Sequence, residues 1–434
     1  MKIKKHRLLE NSTSLLAQII MLMVILTILC YVMNQTELST TGEAVIDVLV
    51  IGSITVLLIV QFAKFRLSNW QRLIILCGYL LRIIVMLIDI YAADAITIMH
   101  SGDDSIGFYR VAREIFETGS AERSSAYTIA LSRIFVVIGE NRLLAQYLNI
   151  LCFVGTVVVI IECIRMFPIV ARHETWILAF LCLLPNYICL SAILLRESFM
   201  IFADTAAVFC FVLWMKKDEW KYFVLAFMAA LPAIILHSAS IGLWIAFFII
   251  AFIWDNKGEK YRVNRKSGIF IALAAIVGMT IIVVPRFRNL LLLYIPSDFS
   301  VNSLTMRYFE EGGSDYLRNI SIDSWTQFYF WTVIRMVYFL LAPMPMDWRG
   351  LGDAAAFVID SIPIIVMIVG TVKGICKSRN WRYAMTGILS CLVVIGIFAW
   401  GVSNAGTAMR HRGLLIGMFA IAYCISKSGN EHEC

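Results

Sequence analysis

Charged side chains are scarce in this sequence: Asp, Glu, Lys and Arg make up 15% of its 434 residues, against 60% hydrophobic ones. Soluble domains carry about 25% charged residues, so the composition excludes an ordinary soluble fold and leaves a polytopic membrane protein. Also missing is any patch in which basic and aromatic residues alternate. The formal charge of +7 is strung out between apolar runs, which excludes a nucleic-acid partner. The 11 cysteines lie in or beside apolar runs or at the C-terminus, none in the two long polar segments, and they encode neither a disulfide framework nor a Cys-x-x-Cys zinc site.

What the sequence does have is apolar runs. A membrane span takes roughly 20 mostly apolar residues. Twelve candidates follow, at 15–33, 45–63, 73–93, 143–165, 175–192, 198–215, 222–237, 240–254, 268–285, 353–372, 383–402 and 413–426. The expected fold is an all-α integral membrane protein of about twelve transmembrane helices, with juxtamembrane helices on its outer face. The first run follows Lys2, Lys4, Lys5 and Arg7 as in a signal peptide, but it is too long for one and no small-residue cleavage site follows. It reads as a retained anchor.

Basic residues in short loops stay on the cytoplasmic side. With the N-terminus inside, the inward connections hold 22 of the 37 Lys and Arg residues, and every lysine is among them. Both termini are therefore expected in the cytoplasm of a multi-pass cell-membrane protein, with 94–142 and 286–352 as long outward segments. Residues 1–72 form two N-terminal spans, 73–427 the main module and 428–434 a tail. In the first outward segment, Asp104 to Glu117 has helical spacing, with Phe108, Val111, Ala112 and Ile115 on one side and Arg110–Glu114 and Arg113–Glu117 at i,i+4. Ala126 to Ile138 is apolar but short, suiting a helix in the interface. Phe328 to Leu341, rich in aromatic residues, reads as a re-entrant element.

Ionisable residues gather at the outer face. Asp103 and Asp104 follow the third span, where two carboxylates at a low-dielectric boundary act as general base, hold a divalent cation such as Mg or Mn, or simply cap a helix. Within that span Arg82 and Asp89 are two turns apart on one face, either lining a polar cavity or locking helices as an ion pair. Arg196-Glu197 falls at one outer turn and His237 at another. Arg410-His411-Arg412 stands at the outer mouth of the last span, where positive charge is not retained for topology. Guanidinium forks match phosphate oxygens, so this cluster suits a phosphate-bearing lipid, ordinary anionic headgroups included.

The string Gly102-Asp103-Asp104-Ser-Ile-Gly-Phe108-Tyr109-Arg-Val-Ala112 resembles the acidic, aromatic and Ala motif in the first outer loop of GT-C glycosyltransferases, multi-span enzymes that use polyprenyl-phosphate-linked sugars. Tyr127 through Gly139-Glu140-Asn141 to Gln146 and Asn149, then Pro185, Ser191 and Leu195-Arg196-Glu197, resemble successive motifs of that family. So do Ala342-Pro343-Met344-Pro345 and Asn404-Ala-Gly406-Thr407 with Arg410-His411-Arg412. The likeness covers roughly 73–427. It implies a GT-C-like fold, a polyprenyl-phosphate-sugar donor and a saccharide or glycolipid acceptor of the cell envelope. Asp104, with Asp103 beside it, takes the acidic catalytic or metal-holding role. Arg410, Arg412, His411, Arg196, Glu197, Tyr109 and Arg82 are the implied substrate-binding set. Phe108 stands where a Tyr is common, and no soluble outer domain follows the last span. An O-antigen-type polysaccharide polymerase is the nearest alternative. A flippase or transporter of lipid-linked oligosaccharides is the next, less favoured because the two halves show no repeat and the charges avoid the midplane.

Overall fold

The computed structural model describes residues 41–262 and 314–429, apart from 257, 318, 319 and 321, together with the isolated positions 268, 279 and 283. The expected spans 15–33 and 268–285 lie outside the described residues, save those isolated positions, as does the segment 286–313. Among the described residues the regular structure is helical except for a hairpin pairing Trp254–Asp255 with Lys260–Tyr261. Among the described residues six helices are long and apolar enough to cross a membrane, seven if one bent pair counts as a span. The protein is an all-α membrane protein.

The chain divides into two compact units, Met1–Ile150 with Ala192–Leu194, and Leu151–Ser191 with Leu195–Cys434. The first contains α1 (Thr41–Lys64), α2 (Asn69–Tyr91), α3 (Asp103–Thr118), α4 (Ala126–Ile138) and the start of α5 (Arg142–Met166). A membrane interior offers no water to a buried hydroxyl, so helix partners must supply the bonds. Thr55 of α1, Tyr79 of α2 and Tyr147 of α5 do so in a chain of hydroxyls at 2.5 and 2.9 Å. The spacing of apolar residues in α3 turns Phe108, Tyr109 and Phe116 onto α4, where they meet Tyr127 and Phe135 edge to face. The expected Arg113–Glu117 bond forms at 2.8 Å. With 13 residues α4 is too short to span. Its outer side exposes Val136 and Val137, as an interfacial helix does.

The second unit contains α6 (Ala171–Leu183), α7 (Pro185–Ala192, its last residue in the first unit), α8 (Glu197–Lys217), α9 (Trp220–Leu236), α10 (Ile241–Ile253) and α11 (Trp325–Leu341). It continues with α12 (Leu351–Ala356), α13 (Ile362–Ile375), α14 (Trp381–Gly401), α15 (Ala405–Arg412) and α16 (Ile416–Lys427). Of the ten expected spans within the described residues, six coincide with the long apolar helices. The run 175–192 breaks into α6 and α7, bent by 50° at Leu184 before Pro185, since proline disfavours a helical residue ahead of it. The runs 222–237 and 240–254 form shorter helices on either side of a turn at Ser238–Ser240. The run 413–426 forms a one-turn 3-10 segment leading into α16. Phe328 to Leu341 forms part of α11, 17 residues long, with Tyr329, Phe330 and Val333 exposed.

All of α16 from Ile416 to Ser426 is buried, packed by α6, α8, α13 and α14. Small residues let the backbones approach this closely. A Cβ on Gly417 would lie 1.8 Å from Thr205 Oγ1, and one on Gly374 would lie 2.7 Å from the Ser426 carbonyl oxygen. Between α12 and α13 the helix widens through a π turn at Phe357–Ser361. That turn carries Asp360 in its buried part.

Candidate functional site

In the second unit, residues far apart in sequence meet in one polar cluster. Glu197 opens α8, where a carboxylate suits the positive end of the helix dipole. Arg410 lies in the last turn of α15, where a cation suits the negative end. Arg410 Nε donates to Glu197 Oε1 at 2.6 Å. Arg196 Nε stands 3.9 Å from the same oxygen, and Arg196 NH1 donates 2.9 Å to the carbonyl of Leu236, at the end of α9. The Glu197 side chain is 1% exposed, but those of Arg410 and Arg196 are 13% and 24% exposed. Two guanidinium groups therefore converge on one buried carboxylate at a surface that can still be reached. Guanidinium forks in such a place suit an oxyanion.

Imidazoles border the cluster. The rings of His237 and His411 lie 5.0 Å apart, and each packs on Phe398, at 4.9 and 5.1 Å. Asn186 Nδ2 donates to the Met409 carbonyl at 2.8 Å, fastening α15 from α7. Asn404 caps α15, its side-chain oxygen accepting from the backbone N–H groups of Gly406 and Thr407 and from Ser314 Oγ. The Asn-Ala-Gly-Thr string thus sets the helix that presents Arg410.

Arg412 occupies a different environment from Arg410. It is fully buried, as is Asp360, and its Nε donates 2.6 Å to Asp360 Oδ2. Its NH1 donates to the carbonyls of Leu340 and Ala342 at 3.0 and 2.6 Å. These bonds join the chain after α11 and the π turn to α15. Nearby, buried Arg335 donates to the carbonyls of Ala399 and Val402 and packs over the Trp400 ring.

Asp103, Asp104, Tyr109 and Arg82 belong to the first unit. Gly102 occupies the capping position of α3 without a side-chain bond, so Asp103 and Asp104 are the first two helical residues rather than caps. Acidic residues there favour the helix dipole. Asp104 is exposed. Asp89, buried, accepts from Ser101 Oγ, from Arg142 NH2 at 3.1 Å and from Gln146 Nε2 at 2.7 Å. The loop so held contains His100 at φ 69° and Gly102 at φ 136°, and it leads directly into Asp103-Asp104. Arg82, fully buried, donates to the Gly78 carbonyl at 2.8 Å. Tyr109 donates to Glu140 at 2.8 Å, and burial followed by the Glu140 carboxylate pushes its hydroxyl up to about 12. It stays a neutral donor. The Arg113 guanidinium also reaches Glu140, at 3.1 Å, and Asn141 bonds Asp47 at 2.7 Å while accepting from the Leu144 N–H that opens α5.

Asp103 and Asp104 are successive helical positions, about 100° apart around the axis. Among the described residues no group of three or more His, Cys, Asp or Glu side chains converges, so no step is assigned to a metal.

Two residues of these networks escape a reading by sequence. Asp360, fully buried, sits singly in an apolar run, and Arg142 is one arginine among five in its outward segment. The usable signal was that a lone carboxylate within a span demands a partner.

No protein-family model matches the chain, and neither a curated protein nor a solved structure matches it.

Proposed function

We propose that this protein is a membrane glycosyltransferase that moves a sugar from a polyprenyl-phosphate-linked donor to a saccharide or glycolipid acceptor of the cell envelope. The observation that carries the reading is the pair of partly exposed arginines, Arg196 and Arg410, converging on the buried carboxylate of Glu197. Their guanidinium forks match the oxygens of a lipid-borne phosphate more closely than they match a neutral substrate. Arg412, committed to Asp360 and two carbonyls, braces this region, and His411 packs beside it.

In the proposed reaction the acceptor hydroxyl gives its proton to a carboxylate, for which exposed Asp104 is the candidate carried by the resemblance. The acceptor oxygen bonds the anomeric carbon as the bond from that carbon to the phosphate oxygen breaks. The electron pair leaves with the polyprenyl phosphate, whose charge the arginines hold. One carboxylate suffices, because phosphate is a good leaving group and the transition state is oxocarbenium-like.

The test is to incubate the purified protein with radiolabelled polyprenyl-phosphate sugar and separate the lipids by thin-layer chromatography. Consumption of the donor with label appearing in an acceptor supports the transferase. Elongation of pyrophosphate-linked repeat units instead identifies a polymerase, and movement of intact lipid-linked sugar across vesicles without chemical change identifies a carrier.

A further inference from the structure

At the end of the second unit that carries the connection between α13 and α14, Ile375 to Arg379 with Trp381 and Arg382 line an open cavity of about 410 Å³, within the roughly 300–1,000 Å³ range of small-molecule sites. Its polar lining is Lys377, Ser378, Arg379 and Arg382, with Trp381 at its edge. Three cations line it.

The loop is built rather than loose. Ser378 Oγ donates to the Ser428 carbonyl and accepts from the Asn380 N–H, and Asn380 Nδ2 bonds Ser428 Oγ at 2.9 Å. Arg382 NH1 donates to the Glu259 carbonyl, and its guanidinium lies over the Trp381 ring at 5.4 Å. Leading to the cavity, α13 exposes Val366, Val369 and Val372 along one side, spaced at about one turn each. Exposed apolar side chains on α13 thus lead to a loop whose cations and tryptophan line the cavity. Aromatic rings of this kind sit at the headgroup level of a bilayer.

We propose that this cavity is a binding site for the headgroup of an anionic phospholipid, whose acyl chain lies along Val366, Val369 and Val372. Positive charge confined to a loop for topology needs no cavity, and here one is present. The site stands whatever reaction the protein performs.

The full-length protein, purified from mixed phosphatidylcholine and phosphatidylglycerol vesicles, is to be analysed by native mass spectrometry for retained lipid. The parent should keep phosphatidylglycerol in preference to phosphatidylcholine. The combined variant Lys377→Gln, Arg379→Gln, Arg382→Gln should keep it about tenfold less, since each basic residue near a surface contributes to anionic lipid binding. Lys373, Lys427 and the basic residues of Lys216–Lys221 are left in place to preserve topology. Equal retention of both lipids by the parent, or undiminished phosphatidylglycerol on the variant, overturns the proposal. So does displacement of the lipid by soluble glycerol phosphate, which marks a site for a free phosphate. Should the variant not fold, salt titration of the parent decides: retention must fall as ionic strength rises, and salt-independent retention refutes the site.

Discussion

Arg410 and Arg412 are two residues apart and differ in nearly everything that determines what a substitution does. Arg410→Lys keeps a charge beside Glu197 but loses the fork, so donor binding should weaken by about tenfold or more with the fold intact, as measured by titration of the polyprenyl-phosphate sugar. Lysine variants that bind and turn over like the parent would leave the arginine a topological or lipid-contacting role. Arg412→Met instead strands the buried Asp360 carboxylate, and breaking a buried pair costs about 3–5 kcal/mol. The expected result is a large drop in thermal midpoint in detergent. The double variant with Asp360→Leu should recover part of it, the carbonyls of Leu340 and Ala342 remaining unserved. Asp104 supplies the mechanistic test. It is exposed and lies inside the first turn of α3, so Asp104→Asn should insert and fold normally. Loss of a general base should lower the transfer rate by about 10²-fold, while a purely helical role predicts a near-parental rate. Asp103→Asn is expected to be milder.

Close packing sets the limits on the helices. Gly417→Ala places a Cβ against Thr205, and overpacking of this kind costs about 1–3 kcal/mol. Monodisperse yield on size exclusion should fall, and pairing the change with Thr205→Ala should restore part of it. Periodicity and hydropathy made the long helices legible, as well as α3 with its Arg113–Glu117 bond and the short apolar α4. They left illegible the places where an apolar run bends or ends early. The turn after α9 and the break at Leu184 depend on local backbone preferences that an averaged window hides. The cluster was legible only in part. Arg196, Glu197, Arg410 and His411 were each singled out, yet nothing local joins Glu197 to a guanidinium 213 residues away. Asp360 faces Arg412 from a π turn, a register that a regular 3.6-residue period does not anticipate.

At the scale of the whole molecule, the distribution of lysine and arginine makes a prediction independent of the chemistry. In a cysteine-free background, single cysteines at Ser120 and Met346, both exposed, should react with an impermeant maleimide added outside intact cells, whereas one at Lys377 should not. Protection of Ser120Cys or Met346Cys would reject the expected orientation. The buried position of α16 bears on how the second unit is made. The helices that enclose it, α6, α8, α13 and α14, all leave the ribosome before it does, so they enter the bilayer with a vacant slot between them. Gly370 and Gly374 of α13 and Gly387 of α14 face it, and these close approaches stay unfilled until α16 arrives, so a unit otherwise able to form during translation must here wait for it. A chain halted after Gly401 should therefore be inserted yet degraded, and supplying residues 402–434 as a separate polypeptide should rescue it.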